Sequence, residues 1–266
     1  MIEITHTTHD GFIVSLPEAT LIFDWWRGAD YADGDKVPSL PDGVALRPPV
    51  YVFISHSHKD HYDPAVFSWA KECADIKYVV SKDVYKRMRH IMSETSVYNG
   101  PKLAPEQVAC LHPGEVYEDA AVRVEAYPST DIGNSYAVEA GGKSFFHAGD
   151  LNAWVWKDES TQQEINKAYG DFNACLRQIE EGGRTRFDYA FFPVDSRIGR
   201  DYFDGAKIFV RRFEVGCFFP MHFGLGDAAE RDGRRRDAMR FDLYMNPCRG
   251  RYIGLSAWGD RYAATE

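Results

Sequence analysis

The stretch Val50–Pro64, VYVFISHSHKDHYDP, decides the fold. It opens with Val50–Ile54, a run of β-branched and aromatic residues that reads as a buried strand. It closes on Asp63-Pro64, an acid suited to cap a helix followed by a residue suited to its first position. Between them stand His56, His58, Asp60 and His61, all within six residues. A strand running in and a helix running out place these side chains on a tight turn at a strand's C-terminal end. Open α/β sheets hold their sites there. Alternate residues of an extended segment point the same way, so His56 and His58 can face one cation. Asp60 and His61 lie past the bend and can reach a second. Imidazole together with carboxylate suits zinc, manganese or iron.

On the N-terminal side, Met1–Thr5, Gly11–Leu16 and Thr20–Phe23 read as short strands, the third closed by Asp24. The segment 28–49 is rich in Gly, Pro and Asp and reads as a loop. On the C-terminal side, Tyr78–Val80 reads as a strand and a helix starts near Asp83. Val122–Ala126, Ser135–Val138 and Ser144–His147 are strands again, the last two joined at Gly141-Gly142 in a hairpin. A helix over Thr161–Glu181, a strand over Tyr189–Phe192, a helix over Phe203–Phe213 and strands at Cys217–Phe219 and Tyr252–Leu255 complete the chain. Two β-rich blocks, each succeeded by helices, predict two mixed sheets packed face to face with helices outside. That is an α/β, four-layer αββα sandwich. No stretch reads as a linker, so residues 1–266 are expected to form a single domain.

Two further strand ends carry metal-binding residue types. Asp150 ends Phe146-His147-Ala148-Gly149-Asp150, where a carboxylate can bridge two cations. His222 comes directly after the strand through Phe219-Pro220-Met221. Either residue alone would read as structural; beside the first cluster both become candidate ligands. His112, in Leu111-His112-Pro113-Gly114, reads as a turn residue, and His147 as pointing elsewhere. His6 and His9, on the first strand pair, either approach the pocket or, as is more usual, are exposed or hydrogen-bonded histidines. Trp25, Trp26, Trp154 and Trp156 lie just past site strands and either wall a pocket or cap the core. Asp195, Ser196 and Arg197 lie past another strand end, where Arg197 could clamp an anionic substrate or form a salt bridge.

Taken in order, HxHxDH at 56–61, the strand-end Asp24, Gly149-Asp150 and His222 resemble the metallo-β-lactamase superfamily. The resemblance runs from about residue 2 to 256. The Phe-His-Ala-Gly-Asp and Pro-Met-His stretches resemble the compact branch that includes ascorbate-6-phosphate lactonase. By that resemblance the ligands are His56, His58, Asp60, His61, Asp150 and His222, and Asp24 orients the ligand loop. The family's third histidine of the first metal site is missing from its expected place at Ala126–Asp131. Asp131, or a hydroxyl of Ser129 or Thr130, replaces it and favours a harder metal; or the first site is weak and only the second binds tightly.

The resemblance implies one or two divalent ions per chain, zinc or manganese, with iron as the alternative. It implies a hydrolase in which a metal-bound hydroxide attacks a small ester, lactone or phosphodiester. Asp60 or Asp150 would take up the proton. Two other readings stand beside it: an iron-dependent redox enzyme of the same fold, and a non-catalytic metal- or ligand-binding protein with a degenerate site. The net charge of −9 argues against a nucleic-acid partner. It leaves a small molecule, an anionic one if arginines line the pocket, with homo-oligomerisation open. The arginines at 231, 234, 235, 236, 240, 249 and 251 read as a solvated face or an anion contact. Five widely spaced cysteines without a CxxC read as reduced thiols. With no signal-like start and no long apolar run, a cytoplasmic protein with no membrane segment is expected.

Overall fold

The computed structural model describes residues 1–30, 40–93, 95–96, 100, 102–245 and 250–264; Cys248 and Arg249 lie outside them. Its first sheet is built from β1 (Ile2–His6), β2 (Phe12–Ser15), β3 (Thr20–Phe23), β4 (Val50–Ile54), β5 (Ile76–Ser81) and β6 (Val108–Leu111). The last strand, β14 (Arg261–Ala264), returns to pair with β1, so the order is β14-β1-β2-β3-β4-β5-β6. Pairing is antiparallel from β14 to β3 and parallel from β3 to β6. The second sheet holds β7 (Val116–Glu118), β8 (Val122–Pro128), β9 (Asn134–Ala140), β10 (Lys143–His147), β11 (Arg186–Pro193), β12 (Glu214–Met221) and β13 (Arg251–Tyr252). Their order is β13-β12-β11-β10-β9-β8-β7, antiparallel from β7 to β10 and parallel from β10 to β13.

Helices cover the outer faces. A 3₁₀ segment (Pro64–Lys71) and α1 (Lys82–Met92) pack on the first sheet. α2 (Gln162–Glu181), α3 (Asp204–Arg212), α4 (Ala228–Met239) and α5 (Asp242–Met245) pack on the second. The expected α/β, αββα sandwich of two mixed sheets is therefore the observed one.

Local chemistry explains most boundaries. Thr161 caps α2, its side chain accepting from the Glu164 amide while the Glu164 carboxylate accepts from the Thr161 amide. Asp63 caps the segment after β4 as expected, accepting from the Ala65 amide at 2.9 Å. The capped segment is a 3₁₀ helix, however, in which the Val66 carbonyl is taken by the Tyr78 hydroxyl at 2.8 Å. The turn at Gly141-Gly142 has positive φ at both residues, 56° and 69°, as the primed hairpin turn requires. Three strands are not apparent from the sequence: β6, β7 and β14. All are short edge strands, and edges carry less apolar sequence than strands paired on both sides. The last expected strand, Tyr252–Leu255, shrinks to the two residues of β13.

Period-two alternation divides the first sheet cleanly. Phe12, Val14, Leu21, Phe23, Tyr51, Phe53 and Val79 face the second sheet. Ile13, Ile22, Val50, Val52, Ile54, Tyr78 and Val80 face the helices. Strands buried on both faces read as continuous apolar runs, which is why β4 is hydrophobic throughout. The layer between the sheets is aromatic. Phe191 of β11 meets Phe12 at 4.4 Å between ring centroids, Phe219 at 5.1 Å and Phe23 at 5.8 Å. This layer fixes how the two sets of parallel strand ends meet. Phe191→Ala should lower the stability of the fold by about 3–5 kcal/mol, measured by urea unfolding, through the lost ring and the cavity it leaves.

Candidate metal centre

The parallel strands of both sheets deliver polar side chains to one edge of the sandwich. The turn after β4 carries His56, His58, Asp60 and His61, and the turn after β10 carries Asp150. Asp131 comes from the loop between β8 and β9, Asp195 from the end of β11, and His222 from the end of β12. The hairpin between β1 and β2 adds His9 and Asp10.

Their atoms converge. His56 Nε2 and His58 Nδ1 are 3.0 Å apart, and His58 Nδ1 lies 3.5 Å from Asp131 Oδ2. Asp150 sits centrally: one oxygen is 3.4 Å from His56 Nε2, the other 3.1 Å from His61 Nε2 and 2.9 Å from His222 Nε2. His9 Nε2 is 3.4 Å from Asp60 Oδ2. Three groupings are tight enough to hold a cation, with donor atoms within 4.8 Å of one another: His56, His58, Asp131 and Asp150; His9, Asp60, His61 and His222; and Asp10, His61, Asp150 and His222.

The donors fit cations on one further observation. His61 Nε2, His222 Nε2, Asp150 Oδ1 and both oxygens of Asp10 are buried and make no hydrogen bond. Buried polar atoms almost always find partners, and a cluster that turns its unpartnered lone pairs to one point suits a cation. The electrostatics agree. Burial would lower His222, but the carboxylates of Asp10, Asp150 and Asp195 outweigh it and push the ring up to about 10. Burial opposes charge on His61 too, yet Asp150 and Asp10 hold it well above its usual value. Burial pushes the Asp10 carboxyl up to about 7 against the pull of His222 and His61. His56 is lowered to about 4 by burial and by His61, against the opposing pull of Asp150 and Asp24.

A second layer of contacts fixes the imidazoles. Asp24, fully buried in the left-handed region at φ 39°, accepts from the Ser55 amide at 2.7 Å, the Ser55 hydroxyl at 2.6 Å and His61 Nδ1 at 3.0 Å. Burial disfavours the Asp24 anion, but the hydrogen bond from His61 and the charge of His147 keep it below the usual carboxylate range. Ser55 Oγ in turn lies 3.0 Å from His56 Nδ1. Asp195 Oδ2 lies 2.9 Å from His222 Nδ1. The loop carrying Asp131 passes close to this turn, where a Cβ on Gly133 would fall 2.1 Å from the Ser55 carbonyl oxygen.

A model of the beta-lactamase superfamily domain matches residues 28–194, more than half of the chain. The chain belongs to that superfamily. No curated relative matches it. Solved structures of similar shape share the metallo-β-lactamase fold at low identity. A candidate metal-dependent hydrolase from Parabacteroides distasonis aligns with a TM-score of 0.52 and 18% identity, over 95% of this chain and 91% of that one. Igni18, a metallo hydrolase from the archaeon Ignicoccus hospitalis, aligns at 0.55 and 14%, over 99% of both chains. CmlA, a diiron beta-hydroxylase from Streptomyces venezuelae, aligns at 0.55 and 13%, over 99% of this chain and 54% of that one.

Within this superfamily fold, each residue read from sequence has a definite place. His56, His58, Asp60, His61, Asp150 and His222 gather in the cluster, and Asp131, rather than the hydroxyls beside it, approaches His58. Thr130 instead donates to the Asn152 carbonyl at 2.6 Å, and Ser129 accepts from the Asp131 amide. Arg197 lies beside His222, its Nε donating to Asp195 at 2.7 Å. His112 is half-buried on Glu115, and His147 is buried against the Asp10 carbonyl at 2.8 Å and joins none of the three groupings. Trp154 and Trp26 wall the site, 5.0 Å from His222 and 6.0 Å from His9, whereas Trp25 packs in the core on Trp69. The arginine run lies on α4 and its flank, with Arg235 on Asp232 and Arg240 on Asp237. Among the described residues, four cysteines are free thiols and no helix is long and apolar enough to cross a membrane.

Of the turn residues, His9 takes the less expected of its two readings, and Asp10 was not anticipated. Both are fully buried against the cluster. The available signal was position: a Thr-Thr-His-Asp-Gly turn joining two apolar strands holds polar residues that burial must partner with something. Asp24→Asn should weaken cation binding by about 10–100-fold in calorimetric titration while the far-ultraviolet circular dichroism stays that of the parent. His112→Ala, remote from the cluster, should leave binding unchanged.

Proposed function

We propose that this chain is a metal-dependent hydrolase holding two divalent cations. One would lie among His56, His58, Asp131 and Asp150, the other among Asp60, His61, Asp150 and His222. The observation that carries this reading is the convergence of unpartnered, buried lone pairs on a central carboxylate, Asp150, that faces histidines of both groups. When bound, two cations would supply a water acidic enough to attack at neutral pH and would polarise the attacked oxygen.

The protein's own residues supply the rest. Asp150 holds the two groups in register. The Asp60 side chain, 21% exposed, reaches the solvent side of the cluster and is the candidate proton acceptor. Trp26 and Trp154 shield the site and offer apolar walls to a small ester, lactone or phosphodiester. Arg197, partly exposed beside His222, is the candidate contact for an anionic substituent.

One observation favours a second reading. Asp131 stands where the superfamily more often has a histidine, and oxygen-rich sites suit manganese or iron better than zinc. An iron-dependent redox reaction, as named for the hydroxylase of the same fold, would use such a site.

Metal analysis of untagged protein should find about two manganese, zinc or iron ions per chain. Chelation should abolish turnover of bis(p-nitrophenyl) phosphate and of simple lactones, and the same metal should restore it. His58→Ala and Asp60→Ala should each reduce turnover to background while remaining folded. Turnover persisting in both purified variants would overturn the hydrolase reading. Two irons with no hydrolysis of any ester, lactone or phosphodiester would move the assignment to redox chemistry.

A further inference from the structure

Two of the ligand histidines proposed above, His56 and His61, share one wiring, and His9 has the opposite one. Neutral imidazole carries a single proton, so one ring nitrogen donates and the other accepts. His61 Nδ1 faces Asp24, a carboxylate that can only accept, at 3.0 Å, whereas His222 Nδ1 lies between the Asp195 carboxylate at 2.9 Å and Arg197 Nη2 at 3.1 Å. His56 Nδ1 faces the Ser55 hydroxyl at 3.0 Å, and that hydroxyl gives its own proton to Asp24 at 2.6 Å. In His56 and His61 the Nδ1 therefore donates, which leaves Nε2 to face the proposed cations.

His9 Nδ1 instead faces the backbone N–H of Gly224 at 3.0 Å. An amide N–H can only donate, so Nδ1 accepts and the ring proton sits on Nε2. Nε2 is buried, makes no full hydrogen bond and lies 3.4 Å from Asp60 Oδ2. The ring has no room to turn over. Its centroid is 4.3 Å from that of His222 and 5.3 Å from that of His61. The His222 amide donates to the His9 carbonyl at 3.3 Å, with His9 held at φ 53°. Gly224 permits this approach, since a Cβ there would lie 2.9 Å from His9. Burial, reinforced by His222, disfavours a second proton on the ring and lowers it to about 3.

We propose that His9 is a positioning residue and not a metal ligand: its Nε2–H donates to Asp60 and fixes that carboxylate at the second cation site. The inference rests on the metal-site reading above for its consequence, but the direction of the hydrogen bond does not depend on a bound ion. A carboxylate held by a donor on one oxygen has fewer orientations to lose when it binds a cation.

The test is a long-range ¹H–¹⁵N correlation spectrum of histidine-labelled protein, metal-free and loaded with ¹¹³Cd, with His9→Gln identifying the His9 signals. The expected His9 pattern is a protonated Nε2 and an unprotonated Nδ1 in both states, with no coupling to cadmium, while His61 and His222 couple through Nε2. A His9 Nε2 that couples to cadmium, or that carries no proton in the metal-free protein, overturns the proposal. If no histidine couples to cadmium, the metal-site reading fails, and the metal-free spectrum still decides the direction of the bond. Calorimetric titration then reads the consequence. His9→Ala should weaken the second cation by about 10–100-fold, and His9→Gln, whose side-chain amide can donate from the same place, should recover most of that loss. Equal affinity in wild type, Ala and Gln variants would overturn the positioning role even if the tautomer is as expected.

Discussion

Charge cannot be buried without an opposite charge or a full set of hydrogen bonds, and this fold buries Asp10, Asp24, Asp150 and Asp195 at one edge. Two of them are satisfied by protein. Asp24 takes three hydrogen bonds from Ser55 and His61, and Asp195 takes those of Arg197 and His222. The other two have, among the described residues, imidazoles opposite them that their charge shifts toward the cationic form. This imbalance accounts for the arrangement of the loops. Asp24 ties the end of β3 to the turn after β4, and Asp195 ties the end of β11 to the residue after β12. Asp150 stands between the two groups so anchored. The aromatic layer beneath, centred on Phe191, keeps the two sheets at the spacing that lets these turns meet.

The fold was legible because its signals are local. Val50–Ile54 is apolar throughout, the β9–β10 hairpin is marked by two glycines, and α2 begins with a Thr161–Glu164 capping pair. The metal-type cluster after β4 was legible for the same reason: four of its members lie within six residues. Asp150 and His222 could be placed because each closes an apolar strand. The residues that escaped depend on tertiary context. β6, β7 and β14 are edge strands whose pairing is decided by neighbours distant in sequence. His9 lies 47 residues before His56, and its role depends on Gly224 and Asp60, which no local pattern connects to it. Arg197 was legible as a substrate clamp or a salt-bridge partner, but that its guanidinium engages the buried Asp195 is fixed by the short 3₁₀ turn after β11.

In the proposed first site Asp131 takes the place where a histidine was expected. The loop that would bring a histidine instead brings a carboxylate to within 3.5 Å of His58 Nδ1. On that proposal the site's donors are richer in oxygen, which favours harder metals. The substrate is a separate matter. The same fold supports hydrolases and a hydroxylase, so the reaction must be read from the donors and the walls of the site and not from the sandwich that carries them.

The central claim is that two cations share Asp150. Its most direct test is a crystal structure of metal-loaded protein with anomalous data collected on either side of the metal's absorption edge. The account predicts two anomalous peaks, one among His56, His58, Asp131 and Asp150 and one among Asp60, His61, Asp150 and His222. No peak at the cluster in fully loaded crystals, or a single peak with Asp131 turned away from His58, would contradict it.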